Sequence, residues 1–506
     1  MAIKLKLILV LLLLAATPAM AQVNPKQTQE QKDSIKRVND ARYKKVEDYS
    51  KNKKFKRFLY KLIFRPVKTE KSSVTRKRIK EGTPEMKHSF DEYQGKIVRN
   101  IKIHTLDPFG YSVNDTTAKE RNNFERFGNR IHLKTKEMTI RNLLLFKKNR
   151  PLDSLLVKES ERLIRSQRYV RRVAISPLPI SPESDSIDIY VRVLDSWSLI
   201  PNGSISSSSM SIELTERNFF GLGHQFENDV ATRFSTGETQ YLAKYTVPNI
   251  KNTYINATVN YQVKGNENSL KSIGVQRDFF SPLTKWAGGV LVESRMLKDS
   301  LPDKNNVWLK QTFKYDDQDV WGGYSFQFYK GDSEESRTTR IVTTGRFYNL
   351  DYKEHPSVVY DSVGFYTDQQ LFLASVGLTS RKYVQDKFLF NYDIVEDIPI
   401  GKVYSVTGGV QHKNYQDRIY LGARYAYGNY YKWGYFSINA EVGSFFYKEK
   451  SEQTALIINM LYFTNIKNWG KWRFRHFIQP ALIFGDNRSP IITDQVTLNG
   501  DTGIPG

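Results

Sequence analysis

SIELTERNFFGLGHQF, residues 211–226, decides how the rest of the chain is read. Ile212 and Leu214 alternate with Glu213 and Thr215, the period-two pattern of a strand with one apolar face. The alternation breaks at Asn218 into two aromatics, Phe219 and Phe220, and then Gly221-Leu222-Gly223. Glycine reaches positive φ without steric cost, so the stretch predicts two strands joined by a tight turn.

Other segments repeat the alternation. In TYINATVNYQV, Ile255, Ala257, Val259, Tyr261 and Val263 face one way, and Asn256, Thr258, Asn260 and Gln262 the other. YFSINAEVG sets Phe436, Ile438, Ala440 and Val442 against Ser437, Asn439 and Glu441. LGARYAYG sets Leu421, Ala423, Tyr425 and Tyr427 against Gly422, Arg424 and Ala426. Aromatic-rich strands of about 10 residues with period two are the pattern of a transmembrane antiparallel β-barrel. A soluble sandwich or propeller would also alternate, but two features favour the barrel. The second face is filled with Asn, Gln, Arg and Glu, as suits a wet lumen. Turns also alternate in kind: FFGLG, VPNIKN and FFSPLTK are compact, whereas MLKDSLPDKNN and the segment around 350–368 read as long polar loops.

The chain has 506 residues, no cysteine and a formal charge of +23. Without cysteine, disulfides and thiolate metal sites are excluded. Residues 1–21 read as a secretory signal: Lys4 and Lys6, an apolar core from Leu7 to Ala16, and Ala19-Met20-Ala21 before cleavage at Gln22. Beyond it no apolar run approaches the ~20 residues of a spanning helix. Residues 23–90 carry 21 Lys and Arg against 8 Asp and Glu. Within that stretch Phe55, Phe58, Leu59, Leu62 and Ile63 recur at helical spacing, ringed by Lys53, Lys54, Lys56, Arg57 and Lys61. Such a helix lies on an anionic membrane surface or packs its one stripe locally. A secreted chain makes nucleic acid an implausible partner.

From Lys96 the pattern becomes strand, helix, helix, strand, strand, with Asp153 as the N-cap of the second helix. Beyond Trp197 no helical pattern persists. The expected organisation is a signal at 1–21, a basic helical segment at 22–95, one small α/β domain at 96–196, and a β-barrel at 197–506. The fold class is mainly β.

A small α/β domain feeding a barrel whose second and third strands are joined by Arg217-Asn218-Phe219-Phe220-Gly221-Leu222-Gly223 resembles the BamA/TamA family of outer-membrane assembly proteins. The resemblance implies that residues 96–196 form a polypeptide-transport-associated (POTRA) domain. It also implies that Asn218, Phe219, Phe220, Gly221 and Gly223 sit on the periplasmic rim. The closing VTLNGDTGIPG is similar to the family's lumen-entering loop at Leu498, Gly500, Gly503 and Gly506. Pro505 departs from it where the family carries arginine, which puts the bracing of the barrel interior in doubt. A loop of this kind needs later strands to close around it, so the barrel reads as incomplete at its C-terminal end.

No chemistry competes with this reading. His88, His104, His132, His224, His355, His412 and His476 show no ligand spacing and read as surface or lumen residues. Glu396 and Asp397 read as a solvated turn. No nucleophile elbow, phosphate loop or dinucleotide fingerprint is present. No enzyme, metal or cofactor is expected. Function is left to surfaces: the strand edge at 170–180, which could take an extended peptide although Pro177 and Pro179 interrupt its donors, and the first barrel strand, Ser198–Ser207, either a weak seam or an ordinary strand start. The resemblance implies insertion or translocation of polypeptides. Nascent outer-membrane polypeptides, outer-membrane lipid and periplasmic accessory proteins are then the partners. A passive pore or anchor whose small domain only docks partners is the alternative.

Overall fold

The computed structural model describes residues 90–181, 184–265, 267–391, 394–470 and 472–491, all within one unit, Lys68–Gly506. The expected signal peptide, the basic helix with Phe55, Phe58, Leu59, Leu62, Ile63, Lys53, Lys54 and Arg57, and the loop with Leu498, Gly500, Gly503 and Gly506 lie outside them.

The first part is a small α/β domain. It runs β1 (Ile97–Leu106), α1 (Asn123–Ile131), α2 (Glu137–Arg141), α3 (Ser154–Arg165), β2 (Val170–Pro179) and β3 (Ser186–Asp195). β3 lies in the middle of its sheet, parallel to β1 and antiparallel to β2. Ile187, Ile189, Val191 and Val193 of β3 alternate on one face and are fully buried with Val98, Ile140, Val157 and Ile164. Asp153 caps α3, its carboxylate accepting from the Leu155 and Leu156 amides. Two features depart from the expected order. The first of the two expected helices, over the stretch holding Ile140, Leu143 and Leu144, shrinks to α2. It continues as tight turns, Leu143 N–H to the Ile140 carbonyl and Leu144 N–H to Arg141, which still bury all three side chains. α1 is an added helix.

The second part is one antiparallel meander. Its strands are β4 (Leu199–Ile205), β5 (Ser209–Phe219), β6 (His224–Arg233), β7 (Thr239–Val247), β8 (Asn256–Lys264), β9 (Asn268–Arg277), β10 (Trp286–Pro302) and β11 (Trp308–Gln327). A short helix, α4 (Glu334–Thr338), leads to β12 (Thr339–Glu354), β13 (Gln369–Lys387), β14 (Val395–Lys413), β15 (Gln416–Tyr431), β16 (Gly434–Tyr447) and β17 (Lys450–Thr464). A small hairpin follows, β18 (Lys467–Trp469) with β19 (Trp472–Phe474). Then β20 (Phe477–Ile478) and β21 (Ala481–Asp486) both pair with β17. The Pro480 carbonyl between them accepts from the Met460 amide, so the two act as one interrupted strand. Counting these two separately, the sheet has 16 strands among the described residues. Each pair twists, and strongly twisted open sheets rarely exceed ~10 strands without curling. Among the described residues no ladder joins β4 to β21.

Register sorts the side chains into two faces. One row of facing residues reads Ala257, Val275, Val290, Val320, Phe347, Phe372, Val410 and Ile419 across eight strands. A second reads Tyr324, Thr343, Val376, Val406, Ala423, Val442, Leu456 and Phe484. Val290, Phe372, Val376, Val406, Val410, Ile419, Val442 and Phe484 in these rows are exposed. The opposite face pairs charges: Arg295 with Glu293 (2.9 Å), Arg424 with Glu441 (3.2 Å), Arg418 with Glu452 (3.0 Å), and Arg346 with Asp319. The expected alternation holds. One loop does not: MLKDSLPDKNN is mostly strand, with Met296 to Pro302 paired to Lys314 through Trp308, and only 303–307 turns. Its polar composition reflects a hairpin tip running past the apolar rows.

Ile189→Ala would leave a cavity at the centre of the small domain and cost it about 2–5 kcal/mol. Hydrogen exchange should show lost protection in β1 to β3 with the large sheet unchanged.

Candidate functional site

The turns after β5, β7, β9, β11 and β13 lie at one end of the meander, and residues in or beside each of them bond the small domain. The Asn218 turn is the most closely fitted. A register shift between Glu216 and Phe219 ends β5, and Phe220, Gly221 and Gly223 take φ of 55°, 72° and 72°. Asn218 has no exposed surface. Its Oδ1 accepts from the Gly223 amide (2.8 Å), closing the turn, while its Nδ2 donates to Thr135 Oγ1 (2.9 Å) on the small domain. The Gly221 carbonyl accepts from the Lys136 amide and from Thr139 Oγ1, both at 2.9 Å. A Cβ on Gly221 would overlap the Lys134 carbonyl, and one on Gly223 would sit 2.9 Å from the Tyr169 ring. Both glycines are therefore demanded twice, by backbone conformation and by close approach.

Behind the turn, Asp195 Oδ2 accepts from the Thr135 amide (2.8 Å) and lies 3.1 Å from His132 Nε2. Both side chains are buried. Among the histidines, His132 thus departs from the surface or lumen placement expected, because it braces the segment that receives the turn. Burial, with the Asp195 charge adding to it, pushes the Tyr169 hydroxyl above its usual range.

The other turns dock along α2 and α3. Asn249 Nδ2 donates to the Asn142 carbonyl (2.7 Å), and Tyr254 donates to Leu143 (2.8 Å) while its ring stacks on Phe280 at 3.7 Å. Ser281 donates to Glu159 Oε2 (2.9 Å), Arg162 donates to the Phe280 carbonyl (2.8 Å), and the Arg162 guanidinium sits 4.3 Å over Tyr383. Arg337 pairs with Asp153 (2.7 Å). Arg165 forks onto Asp397 at 2.8 and 2.9 Å. Burial disfavours the Arg165 charge, but Asp397 and Glu161 outweigh it and hold its pKa above the ordinary value. Burial likewise opposes the Asp153 charge; Arg337 and the α3 amides prevail and lower its pKa. Asp397 is thus no solvated turn residue, and Glu396 accepts from the Leu389 and Phe390 amides. Among the described residues no three His, Asp or Glu side chains are grouped to hold a metal.

Of the residues singled out from sequence, Asn218, Phe219, Phe220, Gly221 and Gly223 come together here. The edge expected at 170–180 is β2, laddered on one side only among the described residues. The first barrel strand expected at 198–207 is β4. Arg165, Glu159, Arg162 and Arg337 were not legible beforehand. α1 carried two signals: the i, i+3, i+7 spacing of Phe124, Phe127 and Ile131, and Asn122, which accepts from the Glu125 amide three residues on, the spacing of an N-cap.

A multi-stranded meander, apolar on one face and charge-paired on the other, clasped at one rim by an α/β domain, is the class the geometry defines. No protein-family model matches the chain, and no curated protein sequence matches it. Solved structures similar to it include CdiB from Escherichia coli, at 10% identity over 77% of this chain and 77% of that one, with a TM-score of 0.35. CdiB from Acinetobacter baumannii matches at 10% identity over 77% and 71%, TM-score 0.30. BamA from Haemophilus ducreyi lacking POTRA domains 1–3 matches at 13% over 72% and 84%, TM-score 0.28. At such scores the fold reading rests on strand register rather than on these neighbours.

Two outcomes follow from this rim. Gly223→Val should cost about 1–3 kcal/mol in backbone strain, beyond its clash with Tyr169, and lower the yield of folded protein. Gly345→Val, with open space around it and no positive φ, should fold normally. Asp153→Asn keeps a good N-cap but loses the ion pair, costing about 1–2 kcal/mol. Because the folded carboxyl titrates below its ordinary 3.8, that contribution is full above this pH and is lost as pH falls through the lower folded value. Urea titrations of both proteins should differ at pH 7 and converge in strong acid.

Proposed function

We propose that this chain is an outer-membrane β-barrel protein that takes part in inserting or exporting polypeptides. In this reading residues 96–196 act as a POTRA-type domain receiving clients on the periplasmic side. The observation that carries the membrane half is the pair of apolar rows, each crossing eight strands and mostly exposed. Soluble monomers rarely present contiguous apolar surface on that scale, whereas a bilayer requires it. The charge-paired opposite face then lines the lumen. The Asn218 turn, held by the small domain, marks the periplasmic rim, with the secretory signal delivering the chain there.

The polypeptide half is supported by two edges on either side of the joint. Among the described residues β2 is laddered on one side only, and an extended client can add to such an edge through backbone hydrogen bonds, made by the residues before Pro177 and Pro179, which lack the amide donor. β4 is short, carries Pro201 and Gly203, and is exposed along most of its length, so its pairing is weak. The basic segment at Lys53–Ile63 and the loop at Leu498–Gly506 are proposed as further contacts, with the membrane surface and the lumen respectively.

The test uses the full chain in liposomes with an unfolded eight-stranded outer-membrane barrel as client. Folded client, read by its heat-modifiable gel migration, should accumulate faster than in empty liposomes. Inserted protein that conducts ions without accelerating folding would make it a passive pore or anchor instead.

A further inference from the structure

α1 turns an apolar stripe away from the small domain's core. Phe124, Phe127 and Ile131 stand one to two turns apart and are 74%, 61% and 54% exposed, and further along the chain Leu133 and Met138 are also exposed, at 52% and 57%. Nothing in the small domain's core needs them there. α1 is seated instead by Gly128, where a Cβ would fall 2.8 Å from the Phe109 ring, and by Asn129, which bonds the Phe109 backbone at both N–H and carbonyl. The helix is thereby held with its largest apolar side chains turned outward.

Its position gives the patch a neighbour. Phe109 packs 6.2 Å from Phe124 on one side and 5.8 Å from Trp197 on the other. The Trp197 indole donates to the Leu199 carbonyl, where β4 begins. Leu199 shares the face of Pro201 and Gly203, which lie opposite Leu214 and Ile212, and Ile212 in turn lies opposite Val230 on the apolar side. Leu133 and Lys134 touch the rim turn through Asn218 and Gly221. Beside them Phe220 is 61% exposed, 4.2 Å from Phe219, which clusters with Phe226 and Tyr245. The exposed patch is thus continuous with the apolar face of the sheet at its rim.

Charge selects the occupant. Between 119 and 138 the chain carries Lys119, Arg121, Arg126, Arg130, Lys134 and Lys136 against Glu120, Glu125 and Glu137, and Lys134 is paired with Asp107 (2.8 Å), so the balance stays basic. We infer that α1 is an interfacial helix that lies on the anionic lipid surface bordering the barrel rim, its Phe124–Phe127–Ile131 stripe sunk among the acyl chains and its basic residues among the headgroups. Such a contact fixes the depth and tilt of the small domain against the bilayer. The inference rests on the membrane reading above, and its test separates the two.

Because the chain lacks cysteine, single labels need no background removal. Ile131→Cys, Lys102→Cys and Val290→Cys in the full chain are each labelled with an environment-sensitive nitrobenzoxadiazole dye. The proteins are reconstituted in phosphatidylcholine vesicles with and without phosphatidylglycerol. The label at 131 should shift to the blue and be quenched by doxyl-lipids in the anionic vesicles, less so in neutral vesicles or at high salt, while the label at 102 stays in water. A water-exposed label at 131 beside a quenched label at 290 overturns the inference and leaves the membrane reading standing. No quenching at 290 sinks that reading first. A shift at 131 that is independent of charge, or that needs added unfolded polypeptide, also overturns the inference and in the latter case makes α1 a client site.

Discussion

A strand offers only one way to serve two environments at once: side chains alternate, and whatever faces one side at residue i faces the other at i+1. The large sheet depends on that constraint throughout. Val290, Val320 and Phe347 stand in one row while Glu293, Asp319 and Arg346 are turned the other way. A slip of one residue in any strand would turn a whole set to the wrong side, carrying Glu213 or Arg424 to the apolar face. The architecture therefore stands or falls with register.

Register is fixed where the chain reverses, and the docked rim is where reversal is most constrained. At the first such turn Asn218 joins three things with one side chain: the closing amide at Gly223, the end of β5, and Thr135 on the small domain. The later turns bond by different chemistry, carbonyl to Asn or Tyr at α2, and carboxylate to arginine along α3. Desolvation explains the difference. Where the contact is fully enclosed, as at Asn218 and Gly221, neutral hydrogen bonds avoid the cost of a buried charge. Where part of the pair keeps water, as at Asp153 with Arg337, ions are tolerated. Arg165 and the Glu159–Arg162 pair are exceptions in depth: Arg165 is matched by two carboxylates, Asp397 and Glu161, and Glu159 by Arg162 and the Ser281 hydroxyl.

What was legible in the sequence follows from distance along the chain. Alternation in 255–263 and 421–427 is a local property and survives into the structure unchanged, as do the Asp153 cap and the Asn218–Gly223 turn, whose glycines answer to local φ. Composition misled where a strand passes beyond the apolar band: MLKDSLP looks like a loop because it has no apolar face to keep. The docking pairs were invisible because their partners are remote; Arg165 and Asp397 are 232 residues apart, and neither has a local pattern that names the other. His132 and Asp397 were misplaced for the same reason, since a lone polar residue acquires its burial from elements packed against it later.

The two surfaces of α1 show the same division between local and distant causes. Its Asn122 cap and the i, i+3, i+7 spacing of Phe124, Phe127 and Ile131 are local, and they specify an amphipathic helix. Which side of it turns outward is decided elsewhere, by Phe109 filling the gap that Gly128 leaves. A core-facing helix would bury the aromatic stripe, because that burial stabilises by roughly 1.5–3 kcal/mol for each large apolar side chain. Here the fold forgoes that term and uses a glycine as the seat instead. The stripe is consequently available at an edge of the small domain beside the start of β4 and the Asn218 turn, where a second apolar medium can supply the missing burial.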